Sequence, residues 1–408
     1  MVISNLQADF KQNLTLLRLR IKINSKVNAV KIRRREVFMK KGRTFMKIAI
    51  VFLVLILLLI SVILLSFIVS SKNTIKPYLD EQGNILKGSV SEKIFIDVNG
   101  KKNGMIIRGR NENNPVLLFI SGGPGVPQYW LNEYYDNALE DYFTVCWWDY
   151  YGEGLSYDSD IEKSEITLER LEKDAVTVTE YLKKRFSKEK VYLMAHSGGT
   201  PLGVMLAKDY PALYYCYFSM GQVVHHEYDR YTYGYRFMTD IFEKNGNKKA
   251  MQKMNSLVTV SQDGSVTPNA PDTIHAKWES ILLEAGCATT REMRSDARDI
   301  FFPQMNAKCY TFKEKINYWR GKGLCSNSPY HQFKIDSYEK INFEIPVYFF
   351  NGYYDYTCPT PMVETFYQNI SAPDKDIYIF EDSAHSPLWE ENDKMLSIMR
   401  EKVKEESN

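Results

Sequence analysis

The sequence predicts an α/β domain, with a mostly parallel central sheet, flanking helices and an inserted helical cap, preceded by one N-terminal transmembrane helix. Three observations predict it. Short apolar runs at Val116–Ile120, Val191–Ala195, Tyr214–Phe218, Pro346–Phe350 and Asp376–Phe380 alternate with stretches of helical periodicity, as parallel strands joined by crossover helices do. The stretch from 222 to 340 is polar and aromatic, lacks strand patterning and interrupts that alternation, as a cap would. Ile48–Val69 is apolar, broken only by Ser61 and Ser66, and carries no charge; about 20 such residues span a bilayer. The expected divisions are a basic cytoplasmic segment (1–47), the anchor (48–70), a linker (71–87), the first part of the core (88–221), the cap (222–340) and the second part of the core (341–408).

The N-terminal elements follow from charge. Residues 1–47 hold 13 Lys/Arg against 2 Asp/Glu, a charge of +11; with +2 for the whole chain, the remainder carries −9. Twelve of these basic residues, Arg18, Arg20, Lys22, Lys26, Lys31, Arg33, Arg34, Arg35, Lys40, Lys41, Arg43 and Lys47, lie between residue 18 and the apolar run. The positive-inside rule puts that end in the cytoplasm and the rest of the chain on the outer side of the cell membrane. The basic balance thus reads as topology rather than nucleic-acid binding. Secretion after cleavage, with Val69 and Ser71 acceptable before the cut, is an alternative, as is initiation at Met39 or Met46. The run exceeds a typical signal core of about 7–15 residues, which favours a retained single-pass anchor.

Behind the anchor, 44% hydrophobic and 13% aromatic content supports one medium-large core. Lys93–Val98 and Met105–Arg108 alternate as an opening antiparallel hairpin, with Asn99, Gly100 and Asn103 in its turn. Tyr142–Cys146 reads as a strand ended by Trp147 and Trp148. Leu168, Leu171, Ala175, Val178 and Leu182 recur at helical spacing, and Met395, Met399 and Val403 share one face of a closing helix.

The chemistry sits at the strand ends. Val191-Tyr-Leu-Met-Ala195-His-Ser-Gly-Gly199 is a strand running into a tight turn and then into the helical pattern of Pro201–Lys208, the context of a nucleophile elbow centred on Ser197. Ala195, Gly198 and Gly199 are small, as the close crossing of strand and helix demands. Asp355 follows Pro346–Phe350 in a Gly-containing turn, and His385 follows Asp376–Phe380. A serine hydroxyl needs an imidazole to take its proton, and the imidazole needs a carboxylate to fix its tautomer. The chain order Ser, Asp, His is that of the α/β-hydrolases. Val116–Ile120 leads into Ser121-Gly-Gly-Pro-Gly125, where the backbone N–H of Gly123, with that of Gly198 after the nucleophile, would form an oxyanion hole. In Trp148–Ser156, Asp149 is expected to order a loop, with Gly152 and Gly154 giving it backbone freedom.

These segments carry a resemblance. Ser121-Gly-Gly-Pro-Gly125 resembles the His-Gly-Gly-Pro-Gly loop of proline iminopeptidases, Trp148–Ser156 their Trp-Asp-Gln-Arg-Gly-x-Gly-x-Ser, and Tyr354-Asp-Tyr-Thr-Cys-Pro359 their Tyr-Asp-x-x-Cys-Pro. Ser121, Tyr150 and Tyr151 depart from that pattern, and the elbow reads His-Ser-Gly where the family has Gly-Ser-Trp. The resemblance spans about residues 88 to 400 and implies fold and triad more than substrate. It further implies that a cap glutamate binds a free amine of the substrate; Trp278-Glu279 is similar to one matching segment, so Glu279 is the candidate. Gln222, just after a strand, is expected at the mouth of the site, contacting substrate or tying down the cap.

Among six cysteines, Cys146 and Cys216 lie in apolar strands, while Cys287, Cys309 and Cys325 share the cap, where one pair is free to bridge. No metal-ligand spacing, phosphate loop or dinucleotide fingerprint appears, so no metal and no cofactor is expected. The expected activity is that of a serine hydrolase on a small ester, an amide or an N-terminal prolyl peptide, through an acyl-enzyme. The alternatives are a carboxylesterase-like or lipase-like enzyme and a non-catalytic hydrolase-fold protein that binds a ligand. Epoxide hydrolase or dehalogenase chemistry calls for a carboxylate where Ser197 stands.

Overall fold

In the computed structural model, which describes residues 2–135 and 138–406, the sheet begins with an antiparallel hairpin, β1 (Val90–Val98) and β2 (Lys101–Gly109). Asn99 and Gly100 both take positive φ, 51° and 80°, as a two-residue turn matching the twist of the strands requires. Asn103, expected in that turn, instead pairs with Ile96 inside the ladder, where its Oδ1 accepts the Trp148 indole N–H at 3.1 Å. There follow β3 (Val116–Ile120), β4 (Thr144–Trp148), β5 (Val191–His196), β6 (Tyr214–Met220), the short β7 (Val258–Val260) and β8 (Val266–Pro268), then β9 (Val347–Gly352) and β10 (Lys375–Phe380). β4 starts two residues later than expected, because Leu139–Tyr142 forms a helical turn, so Trp147 and Trp148 lie inside the strand.

Eight strands make one sheet in the order β1-β2-β4-β3-β5-β6-β9-β10, antiparallel only at β1–β2 and β2–β4. The central strands β3, β4 and β5 are buried along their whole length, which explains their continuous apolar sequences. Along β3, Val116, Leu118 and Ile120 join the apolar layer on one face, and Leu117 and Phe119 the layer on the other. The helix Leu168–Phe186 buries Leu171, Ala175, Val178 and Leu182 in the first layer. Its start is capped by Thr167, whose hydroxyl accepts the Arg170 N–H at 3.1 Å, and Ser187 in the left-handed region ends it. The closing helix Asn392–Glu406 buries Met395 and Met399 in the second layer, with Val403 packed against it.

The insertion between β6 and β9 carries the helices Asp229–Lys244, Lys248–Asn255, Ile274–Ala285 and Phe312–Cys325. It also holds the β7–β8 hairpin, absent from the sequence expectation because three-residue strands are too short to show a period. Met238, Phe242, Trp278, Ile281 and Leu282 give this part its own apolar cluster, which reaches Tyr356. All six cysteines are buried free thiols, so the cap bridge that the sequence left open is not formed: Cys325, Cys309 and Cys287 lie in three different apolar clusters.

Ahead of this domain, Val2–Ser70 is one continuous helix, longer than the expected 48–70. Its segment Phe45–Ser70, 26 residues, is long and apolar enough to cross a membrane, with a rise of about 39 Å against a core of about 30 Å. Met1, residues 407–408 and, in the basic run, the side chains of Arg33, Arg34, Arg35, Lys40, Lys41 and Arg43 lie outside the described residues.

Candidate active site

β5 ends at His196 in extended backbone, and a helix begins at Thr200. To turn between them, Ser197 takes φ +50°, a left-handed conformation that side chains disfavour. The crossing is tight enough to dictate composition. A Cβ on Gly198 would lie 2.6 Å from the Gly123 carbonyl oxygen, and one on Gly199 would lie 2.9 Å from that of Ile120. A Cβ on Gly122 would come within 3.0 Å of the Ser197 Cβ, so the glycine loop after β3 lies directly against the elbow.

Asp355, in the turn after β9, places Oδ2 2.8 Å from His385 Nδ1, while its Oδ1 accepts the Cys358 N–H at 2.8 Å. Both side chains are buried. A carboxylate at Nδ1 holds the proton there and leaves Nε2 bare. That Nε2 is buried and has no hydrogen-bond partner among the described residues. Ser197 is thus not hydrogen-bonded to it; between them stands the residue before the serine, His196, its ring 4.9 Å from that of His385. The His385 N–H donates to the Ala288 carbonyl at 3.2 Å, and the Tyr356 N–H to that of Cys287 at 3.3 Å, so one cap segment grips both loops.

Gly221, at φ +60°, lies against the imidazole: a Cβ there would meet His385 Cε1 at 2.6 Å and Nδ1 at 2.8 Å. Gly221→Ala is expected to displace the ring and lower kcat by about 10²-fold, with unaltered binding of a substrate analogue; a wild-type kcat would contradict the placement.

Glu390 lies beneath the same loop, accepting the N–H of Arg291 at 2.7 Å and of Ala384 at 3.0 Å. Burial outweighs these donors and, with repulsion from Asp355, lifts its carboxyl to about 7. A carboxyl raised in the folded state favours folding while protonated. Its contribution is full below the ordinary value of about 4.5 and is lost as pH rises through about 7. Thermal unfolding from pH 4.5 to 8 should therefore show a decline in stability that Glu390→Gln makes shallower, the rest being shared by the buried Asp149 and Glu153; an unchanged slope in the variant would sink this assignment.

The two expected oxyanion donors adjoin, a Cβ on Gly198 falling 3.1 Å from the Gly123 nitrogen. Tyr150 and Tyr151, two departures from the resembled pattern, have defined places. The Tyr150 hydroxyl accepts the Gly125 N–H at 2.9 Å, and Tyr151 donates to Glu165 at 3.2 Å beneath the Arg170 guanidinium, 4.2 Å from its ring. Tyr330, which the sequence did not single out, donates to the Gly198 carbonyl at 2.7 Å. Asp149 does order its loop, accepting the Leu155 N–H at 2.7 Å, and burial raises both its carboxyl and that of Glu153.

Two expected substrate contacts are engaged elsewhere. Glu279 is bound by the Arg230 guanidinium, with His275 at 4.0 Å, so its charge is already neutralised. Gln222 is fully buried; its Oε1 accepts the Ser219 hydroxyl at 2.7 Å and its Nε2 donates to the Val223 carbonyl at 3.0 Å. Both ends of that amide are held by the fold.

Strand order, elbow and inserted cap together define the class: the chain has the α/β-hydrolase fold. It shares this fold with VinJ, at 15% identity and a TM-score of 0.52 over 77% of this chain and 99% of that one. It also shares it with the proline iminopeptidase of Mycobacterium smegmatis, at 14% identity and a TM-score of 0.52 over 77% and 99%. Its sequence is similar to the probable aminopeptidase YbaC of Bacillus subtilis, 29% identical over 308 residues, which are 75% of this chain and 94% of the relative. No protein-family profile matches the sequence.

Proposed function

We propose that this chain is a membrane-anchored serine hydrolase of small peptides, or of related amides and esters, working through an acyl-enzyme at Ser197. The observation that carries the reading is the buried Asp355–His385 pair, its Nε2 without a partner among the described residues, with its ring 4.9 Å from that of His196, the residue before the strained Ser197. As Ser197 Oγ attacks the substrate carbonyl, its proton passes to His385 Nε2, and the Gly123 and Gly198 N–H groups receive the oxyanion. Collapse breaks the C–N or C–O bond, the leaving group takes the proton from His385, and water repeats the sequence to release the acid. Asp355 stays ionised and holds the imidazole. The similarity to a probable aminopeptidase supports an N-terminal residue, prolyl included, as the acyl part. The Arg230–Glu279 pair favours a second reading, an ester or amide without a free amine, because that carboxylate is already matched by a cation. The basic segment before Phe45–Ser70 supports a cytoplasmic N-terminus and an extracytoplasmic domain.

The test uses the full chain in detergent, with short-acyl nitrophenyl esters, aminoacyl naphthylamides including proline, and a fluorophosphonate whose adduct is located by mass spectrometry. An adduct on Ser197 with prolyl turnover supports the aminopeptidase reading, and one with ester turnover alone supports the second. No adduct and no turnover would leave a binding protein.

A further inference from the structure

His196 precedes Ser197 and takes no part in the proposed chemistry, yet it is buried at the centre of the site. Its Nε2 lies 3.0 Å from the carbonyl oxygen of His385, and its Nδ1 lies 2.6 Å from Gln128 Nε2. Gln128 Oε1 in turn accepts the Gly122 N–H at 3.1 Å. The protons follow by elimination. A carbonyl only accepts, so His196 Nε2 carries the hydrogen. A backbone N–H only donates, so the Gln128 oxygen must face Gly122 and its NH₂ must face His196. Nδ1 then accepts, and every group is matched provided that His196 is neutral. Burial and the neighbouring His385 hold its pKa well below the ordinary value, in keeping with that state. Trp389, 5.7 Å away edge-on, and the His385 ring enclose it.

We infer that His196 and Gln128 are positioning residues that tie the loop of the base, His385, to the glycine loop Ser121–Gly125 that receives the oxyanion. This inference rests on the serine-hydrolase reading of Ser197. The chain runs from the His385 carbonyl through an imidazole and an amide to the peptide next to Gly123. Base and oxyanion donor come from segments more than 250 residues apart in sequence, and this chain of hydrogen bonds sets the distance between them. A shift of about 1 Å there costs about 10²-fold in rate.

The test compares wild type, Gln128→Met, His196→Phe and the double variant, as full chains in detergent, with 4-nitrophenyl acetate as substrate and a fluorophosphonate as label. Each single variant should lower kcat and the labelling rate by about 10²-fold, with KM within about twofold. The double variant should be no slower than either, because each breaks the same chain. Losses that multiply, or variants as fast as wild type, would overturn the inference; a wild-type chain that takes no label at Ser197 would overturn the underlying reading instead. Should Gln128→Met fail to fold, Gln128→Ala takes away both the acceptor for Gly122 and the donor to His196 without adding bulk. It should lower kcat about 10²-fold at constant KM, and a wild-type kcat in that variant would likewise overturn the inference.

Discussion

Ser197→Ala is expected to lower kcat by about 10⁶-fold and to abolish the fluorophosphonate adduct. The loss is large because, on the proposed mechanism, His385 and the oxyanion donors act on a group that is no longer there. Ala retains the Cβ, so the backbone at φ +50° remains disfavoured and the fold should be no more stable than before. Ser197→Gly separates the two effects. Glycine adopts positive φ without steric penalty, and the strain stored at such a position is on the order of 1–3 kcal/mol, offset in part by the extra freedom of an unfolded glycine. That variant should be as inactive as Ser197→Ala, yet more stable by about 1 kcal/mol in urea unfolding. Equal midpoints for the Gly and Ala variants would mean that the turn stores no strain.

Much of this fold was legible because its central strands are buried on both faces. Val116–Ile120 and Val191–His196 are apolar throughout for that reason, and each runs into the small residues that a close strand-helix crossing requires. The order of Ser197, Asp355 and His385 could be read as well, since each ends a recognisable strand. What could not be read is pairing across long separations. Nothing local marks Arg230 as the partner of Glu279, 49 residues away, or Gln128 as the partner of His196, 68 residues away. Gln222 shows the same limit: its place after β6 left substrate contact and a tie to the cap equally open, and the Ser219 hydroxyl three residues back takes its amide inward. His196 did leave a signal, as a departure from the resembled elbow, and its meaning became visible only with the facing loops in place. The cap hairpin was missed because strands of three residues have no period, and the state of the cap cysteines stayed open because cysteine count carries no geometry.

Asp355→Asn should be the second most damaging exchange, lowering kcat by about 10⁴-fold at neutral pH with little change in stability. The argument turns on which way the amide faces. In the native chain both carboxylate oxygens accept, Oδ1 from the Cys358 N–H and Oδ2 from His385 Nδ1, each at 2.8 Å. An asparagine has one acceptor and one donor to offer. The Cys358 N–H is a backbone donor and cannot reverse, so the amide oxygen turns to it and the NH₂ turns to His385. His385 must then accept at Nδ1, which moves its proton to Nε2, the atom that should receive the proton of Ser197. The geometry survives while the base is lost. Nuclear magnetic resonance of the histidine nitrogens reports this directly: the proton should sit on Nδ1 in the wild type and on Nε2 in the variant. If kcat falls while the proton stays on Nδ1, Asp355 acts through its charge rather than by setting the tautomer.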